Sequence, residues 1–326
     1  MKRMLGRLLK YGSLALGFVV CAGATYFYAV KPATAKPSSI KVDMSPARIE
    51  RGRYVFLLAD CDGCHSERDF SRFGGPVVAT GRGKGFVFPK ELGLPGTVAA
   101  PNITPDQETG IGEWTDGEKI RAIREGISRD GRPLFPMMLY EQYRNLSDED
   151  VESLVAFMNT LRPVKNKVPR SEVKFPVSML IRTAPKPAGH VPPSDRRSVV
   201  EYGRYLVTAA GCAHCHTGAD GVKFAGGEEF NFPGMKVVSS NITPDKEAGI
   251  GSWTENYFVS RFQAYKPYVE KGAPAAAPNT FTVMPWLSYS QLEADDLKAI
   301  YAYIRTQPAA SKRIDTHPPV LRAGGM

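Results

Sequence analysis

A chain of 326 residues, 43% of them hydrophobic, is long enough for two ordinary domains with real cores. Its net charge of +9 does not mark a nucleic-acid binder: residues 1–36 carry six cations and no acid, which leaves +3 on the remainder, and no basic stretch is interleaved with aromatics. Of the five cysteines, four fall in two C-x-x-C pairs and Cys21 lies in the leader, so no thiol is left for a structural disulfide or a catalytic nucleophile.

The leader is basic at its start and then runs uncharged from Tyr11 to Val30, about the length a bilayer-spanning helix requires. Ala33-Thr34-Ala35 resembles an A-x-A cleavage site. Residues 1–36 are therefore expected to be a membrane anchor or signal segment. Length favours a retained single span, with Cys21 as one of its apolar residues and the basic end in the cytoplasm. Residues 31–44, with Pro32 and Pro37, form a tether.

Residues 45–162 read as one domain. Ser45-Pro46 is an N-cap followed by proline at the first helical position. The helix it opens contains Gly52, a residue that costs about 1 kcal/mol relative to alanine unless another helix crosses closely there. At its end lies Cys61-Asp62-Gly63-Cys64-His65. C-x-x-C-H is the attachment signature of c-type haem: two thiols one helical turn apart add across the two vinyl groups, and the adjacent histidine supplies the proximal imidazole. A zinc site would need a second pair 15–20 residues away, whereas here the second pair begins at Cys212. Residues 66–102 are loop, rich in glycine and proline, and such a stretch inside a domain wraps something. Asn102-Ile103-Thr104-Pro105-Asp106 follows; its glycosylation sequon is discounted because of Pro105. After Gly110-Ile111-Gly112-Glu113-Trp114-Thr115, Thr115 and Glu118 form a capping box for a helix through Ile127. A second loop, 128–140, contains Met137 and Met138. Ser147 and Asp150 then cap a closing helix with Val151, Leu154, Val155, Met158 and Leu161 on one face, the expected partner of the Gly52 helix. A methionine on a Pro-rich loop between helices reads as a ligand rather than as core filler.

Residues 163–196 hold seven prolines, an extended connector whose Phe175, Val177 and Met179–Ile181 suggest partial packing on a domain. Residues 197–310 repeat the plan. Gly203-Arg204-Tyr205 answers Gly52-Arg53-Tyr54, and Cys212-Ala213-His214-Cys215-His216 answers the first motif. Phe230-Asn231-Phe232-Pro233 answers Phe86-Val87-Phe88-Pro89. Asn241 to Asp245 answers Asn102 to Asp106, and Gly249 to Thr254 answers Gly110 to Thr115. A closing helix is expected over 293–306, with Leu297, Ile300, Tyr301 and Ile304 inward. Residues 311–326 are a tail. The segment before Met138 is charged and Gly-rich, that before Met284 Ala/Pro-rich, so the two sites have different surroundings.

With these motifs placed, each repeat resembles a class I cytochrome c domain. The N-I-T-P-D and G-I-G-x-W-T pair is similar to that of the cytochrome c subunits of membrane-bound alcohol and gluconate dehydrogenases, which usually carry three such domains where this chain has two. The resemblance implies a mainly α fold: two tandem class I cytochrome c domains with long haem-wrapping loops, preceded by one N-terminal transmembrane helix or signal segment. It implies two covalently bound haem c, thioether-linked at Cys61, Cys64, Cys212 and Cys215, with His65 and His216 as proximal ligands. Pro136-Met137-Met138-Leu139-Tyr140 and Val283-Met284-Pro285-Trp286 match the family's distal motif, with Met138 and Met284 as ligands, although Leu139 replaces the motif's proline. Trp114 and Trp253 become candidates to donate indole N–H groups to haem propionates.

Ligation by His and Met fills both axial positions and raises the potential, which suits an electron carrier. The expected function is outer-sphere electron transfer on the periplasmic side of a bacterial inner membrane, from a dehydrogenase subunit or quinol-oxidising complex towards an oxidase or soluble cytochrome, with membrane contact through the N-terminal segment and no nucleic acid. The alternative is a dihaem redox enzyme such as a peroxidase or thiosulfate dehydrogenase, which would need an open distal side or an unusual ligand. His190, His214 and His317 are the remaining histidines, read as solvated or packing residues.

Overall fold

The computed structural model describes residues 2–29, 32–232, 235–277 and 279–319. Val30, Pro233 and the end of the tail lie outside the described residues. The leader forms α1 (Lys2–Ala29). The expected membrane-spanning helix is not supported: among the described residues no helix is long and apolar enough to cross a membrane. Its cations lie within the first ten residues, and the run that follows mixes Gly12, Ser13, Gly17, Gly23 and Thr25 with apolar residues. Leu16, Phe18 and Val19 stay largely exposed. The tether then binds the first repeat, with the Val42 N–H donating to Asp116.

The first repeat opens with α2 (Pro46–Leu58) and the short α3 (Cys61–His65). Ser45 occupies the N-cap position without a capping bond, because its hydroxyl donates to Asp43 instead. Two-residue strands β1 (Phe86–Val87), β2 (Gly96–Thr97) and β3 (Ala99–Ala100) lie in the wrapping loop, and β1 pairs antiparallel with β3. The Thr115–Glu118 capping box opens α4 (Asp116–Glu125). That helix stops two residues short of the expected Ile127, since Gly126 turns left-handed at φ 73° and its carbonyl accepts from the Leu134 N–H. α5 (Tyr140–Tyr143) follows the methionine loop, and α6 (Asp148–Asn159) closes the repeat behind its Ser147 cap.

The α2–α6 crossing explains Gly52. A Cβ there would lie 1.8 Å from the Ser153 carbonyl oxygen, so only glycine lets the two backbones approach this closely. In the connector, β4 (Glu172–Val173) pairs with β2, and α7 (Val177–Leu180) follows.

The second repeat runs α8 (Val199–Ala209), α9 (Cys212–Cys215), the antiparallel pair β5 (Glu229–Phe232) and β6 (Met235–Val238), α10 (Glu255–Gln263), α11 (Lys266–Lys271), α12 (Trp286–Tyr289) and α13 (Ala294–Arg305). Gly203 plays the part of Gly52: its Cβ would meet the Ala299 carbonyl oxygen at 1.9 Å. Leu297, Ile300 and Ile304 are buried, as their spacing predicts, and Tyr301 is half-buried.

One continuous core joins the repeats and includes Phe56 and Leu154 from the first, Leu206 and Leu297 from the second. The contact between them is a pseudo-two-fold exchange: α5 of the first repeat packs on α8 of the second, and α12 of the second packs on α2 of the first. The exchange is unequal elsewhere. The loop around Ser71–Phe73 reaches onto the second repeat, where the Phe73 N–H donates to Pro274, the Ala276 N–H donates to Ser71 and the Phe73 ring stacks on Tyr265 at 5.0 Å. The matching loop of the second repeat turns to its own tail instead, with the Lys312 ammonium bonding Asp220 and the Gly226 carbonyl.

Candidate haem sites

Each C-x-x-C-H sequence starts just past the end of the first helix of its repeat. The residue before the first cysteine is left-handed in both, Asp60 at φ 46° and Gly211 at φ 64°. This turns the chain so that both motif histidines are buried, His65 6% and His216 8% exposed. His65 Nδ1 is 2.8 Å from the Pro101 carbonyl oxygen, and His216 Nδ1 is 2.7 Å from that of Ser240. Donation to a carbonyl fixes the tautomer and leaves Nε2 with its lone pair available to a metal. Burial pushes the pKa of both imidazoles down, which favours the neutral form that ligates.

The accepting carbonyls explain the repeated Asn-Ile-Thr. Asn102 and Asn241 directly follow Pro101 and Ser240 and are 2% and 5% exposed. Asn102 Oδ1 accepts from the N–H and hydroxyl of Thr104, and its Nδ2 donates to the Val164 carbonyl. Asn241 does the same with Thr243 and Ala310. Each asparagine pins the strand that presents the histidine's acceptor and ties it to the chain leaving that repeat. Sequence reading singled out the motif but missed this use of it. Burial also accounts for Asn102 as a structural residue rather than a glycan acceptor.

The four motif cysteines lie half-buried, two in each repeat.

Met138 and Met284 both pack against the core. The Tyr140 N–H donates to the Met138 carbonyl at 2.5 Å and the Trp286 N–H to that of Met284 at 2.7 Å. The turn after each methionine is thus alike, with an aromatic two residues on, whereas the approach differs: the Met138 N–H donates to the Phe135 carbonyl and the Met284 N–H to the Thr282 hydroxyl. Behind each loop a buried tyrosine reaches back to the first helix: the Tyr143 hydroxyl donates to the Ala59 carbonyl and Tyr289 to that of Ala210. Trp114 and Trp253 are half-buried against the same core. Among the remaining histidines, His190 pairs with Asp148, His214 is exposed beside its own motif, and His317 Nε2 meets the Phe281 carbonyl.

The two attachment motifs meet near the pseudo-two-fold. Ser288 of the second repeat donates to the Asp60 carboxylate of the first at 3.2 Å, and a Cβ on Gly211 would lie 2.6 Å from Leu139. Burial holds the Asp60 carboxyl up at about 6, against the opposing pull of Arg68.

Each repeat thus has two paired cysteines, a buried imidazole bonded through Nδ1 and a methionine on a repeated loop, residue types that could hold a haem c. The sequence profile of the family described as Cytochrome c matches residues 49–162 and 200–308. Among curated proteins, the chain is 32% identical over 302 residues to a subunit of nicotinate dehydrogenase from Pseudomonas putida, covering 84% of this chain and 23% of that one. It is 32% identical over 290 residues to the fructose dehydrogenase cytochrome subunit of Gluconobacter japonicus, covering 85% and 56%. It therefore spans about a quarter and about half of these two relatives. A protein named diheme cytochrome c-type from Cereibacter sphaeroides is 29% identical over 307 residues, with 90% of this chain and 97% of that protein covered.

Proposed function

This chain belongs to the cytochrome c family and carries covalently bound haem c, one group for each of its two domains, and from that premise we propose that it is a dihaem electron-transfer protein. When bound, each haem supplies a reversible one-electron iron couple. The chain's own part is to hold that couple in place and tune it. Cys61 and Cys64 in the first domain, and Cys212 and Cys215 in the second, supply the covalent links. His65 and His216 would ligate the irons through Nε2, each oriented by its backbone acceptor. Met138 and Met284 would be the second protein ligands, and Trp114 and Trp253 would donate to propionates. The observation that carries this reading is the duplication of the paired cysteines, the buried histidine and a methionine loop, with the same turn after the methionine in both copies.

Relatives named as cytochrome subunits of fructose, alcohol and gluconate dehydrogenases support a dehydrogenase or quinol-oxidising complex as donor and an oxidase or soluble cytochrome as acceptor. The site of action is the periplasmic face of a bacterial membrane, reached through the basic leader. Pull-down of the chain from solubilised membranes tests this: the co-purifying dehydrogenase, given its substrate, reduces both haems within seconds. A holoprotein that no membrane donor reduces would overturn the assignment.

A further inference from the structure

The connector between the domains has chemistry that neither haem site uses. Between 163 and 196 it carries seven lysines and arginines against two acids, a net +5, while the first domain is net negative. Its start is fixed by the β2–β4 pairing and by the Lys174 N–H donating to the Pro95 carbonyl at 2.7 Å. Its far end is fixed by the Ala188 N–H on Glu125. Held between these points, the turn presents Phe175 70% and Leu180 57% exposed, among the most exposed large apolar side chains outside the leader. Lys174 and Lys186 flank them, exposed and, among the described residues, in no ion pair.

We propose that residues 174–186 form a peripheral membrane-docking turn, which lays Phe175 and Leu180 into the headgroup boundary of an anionic phospholipid surface while the flanking cations meet the phosphates. Two protruding apolar side chains ringed by cations match this mode. They are too little for the core of a stable protein–protein interface, which buries about 800 Å² per partner. A second observation points the same way. Glu125 binds the connector through one carboxylate oxygen and the Ala35 N–H of the tether through the other, so the basic leader leaves the molecule beside the same connector. The inference stands on the connector alone and does not depend on whether the leader is retained.

The test is native-state trypsin digestion of the full-length holoprotein with phosphatidylglycerol-containing vesicles, and with pure phosphatidylcholine vesicles for comparison. Anionic vesicles should slow cleavage after Lys174 and Arg182 by at least about tenfold, an effect that added salt reverses and neutral vesicles do not reproduce. A Phe175→Ser/Leu180→Ser variant should keep both haems and lose that protection. Unchanged cleavage at these two bonds while bonds after Arg7 and Lys10 become protected would show that the leader alone binds lipid, and would overturn the proposal. So would protection that persists in the double variant, or protection seen only with a co-purified dehydrogenase, which would make the turn a protein-docking site.

Discussion

The Tyr205 hydroxyl of the second domain donates to the Asp150 carboxylate of the first at 2.5 Å, and Tyr54 of the first returns the contact on Asp296 of the second. The copies have diverged around this pair. Asp150 also takes a two-pronged bond from Arg51, whereas the residue matching Arg51 is Tyr202, which bonds Asp296. Tyr205→Phe should cost about 1–2 kcal/mol of holoprotein stability. Asp150→Ala, which also leaves Arg51 without its carboxylate, should cost about 2–4 kcal/mol. Guanidinium unfolding checks both, and a loss below about 0.5 kcal/mol for Asp150→Ala would show that the domains do not depend on this contact.

Asp60 predicts a pH dependence. Its carboxyl titrates at about 6 in the folded chain against 3.8 ordinarily, because of burial. The native state therefore binds this proton more tightly than the unfolded chain does. The favourable contribution is complete below pH 3.8 and disappears as the pH rises through about 6. Asp60→Asn, which keeps an acceptor for Ser288 and tolerates the left-handed backbone, should stabilise the protein at pH 7 by up to about 3 kcal/mol and have little effect near pH 4. Unfolding curves at the two pH values decide it; an equal effect at both would contradict the assignment.

Close helix crossing is tested by one methyl group. Gly203→Ala forces α8 away from the Ala299 carbonyl and should cost about 1–3 kcal/mol or more. Gly189→Ala, where among the described residues nothing lies within 4 Å of the added carbon, should be neutral. Thermal unfolding of both variants separates a specific crossing from a general intolerance of alanine.

Much of this architecture was legible in the sequence because the chain states it twice. The C-x-x-C-H pairs, Gly52 with Gly203, the Thr115 cap and the closing helices all rest on local rules, and local rules survive folding. The meaning of Asn102 and Asn241 was not legible. Their partners lie some 60–70 residues away in sequence and are backbone carbonyls, which carry no residue signature. The Tyr54–Asp296 and Tyr205–Asp150 exchange was hidden likewise, since the two copies differ at the neighbouring Arg51 and Tyr202. The leader is a third case: freedom from charge suggests a span, and among the described residues no helix is long and apolar enough to cross a membrane.

The distal ligand of the first domain is tested by paired substitutions. Met138, like Met284, is followed by a turn in which the N–H two residues on donates back to its carbonyl. Met138→Leu should abolish thioether–iron charge-transfer absorption at the first haem and lower its potential, with Met137→Leu leaving the spectrum nearly unchanged. The reverse pattern would move the ligand to Met137.

The central claim, that both irons are held for electron transfer with no position open to substrate, is met most directly by titrating the dithionite-reduced holoprotein with carbon monoxide at neutral pH. If Met138 and Met284 occupy the distal positions, the Soret band barely shifts and uptake stays far below one equivalent per chain. Uptake of a full equivalent would mean that one haem is open, and would contradict the carrier in favour of a dihaem enzyme.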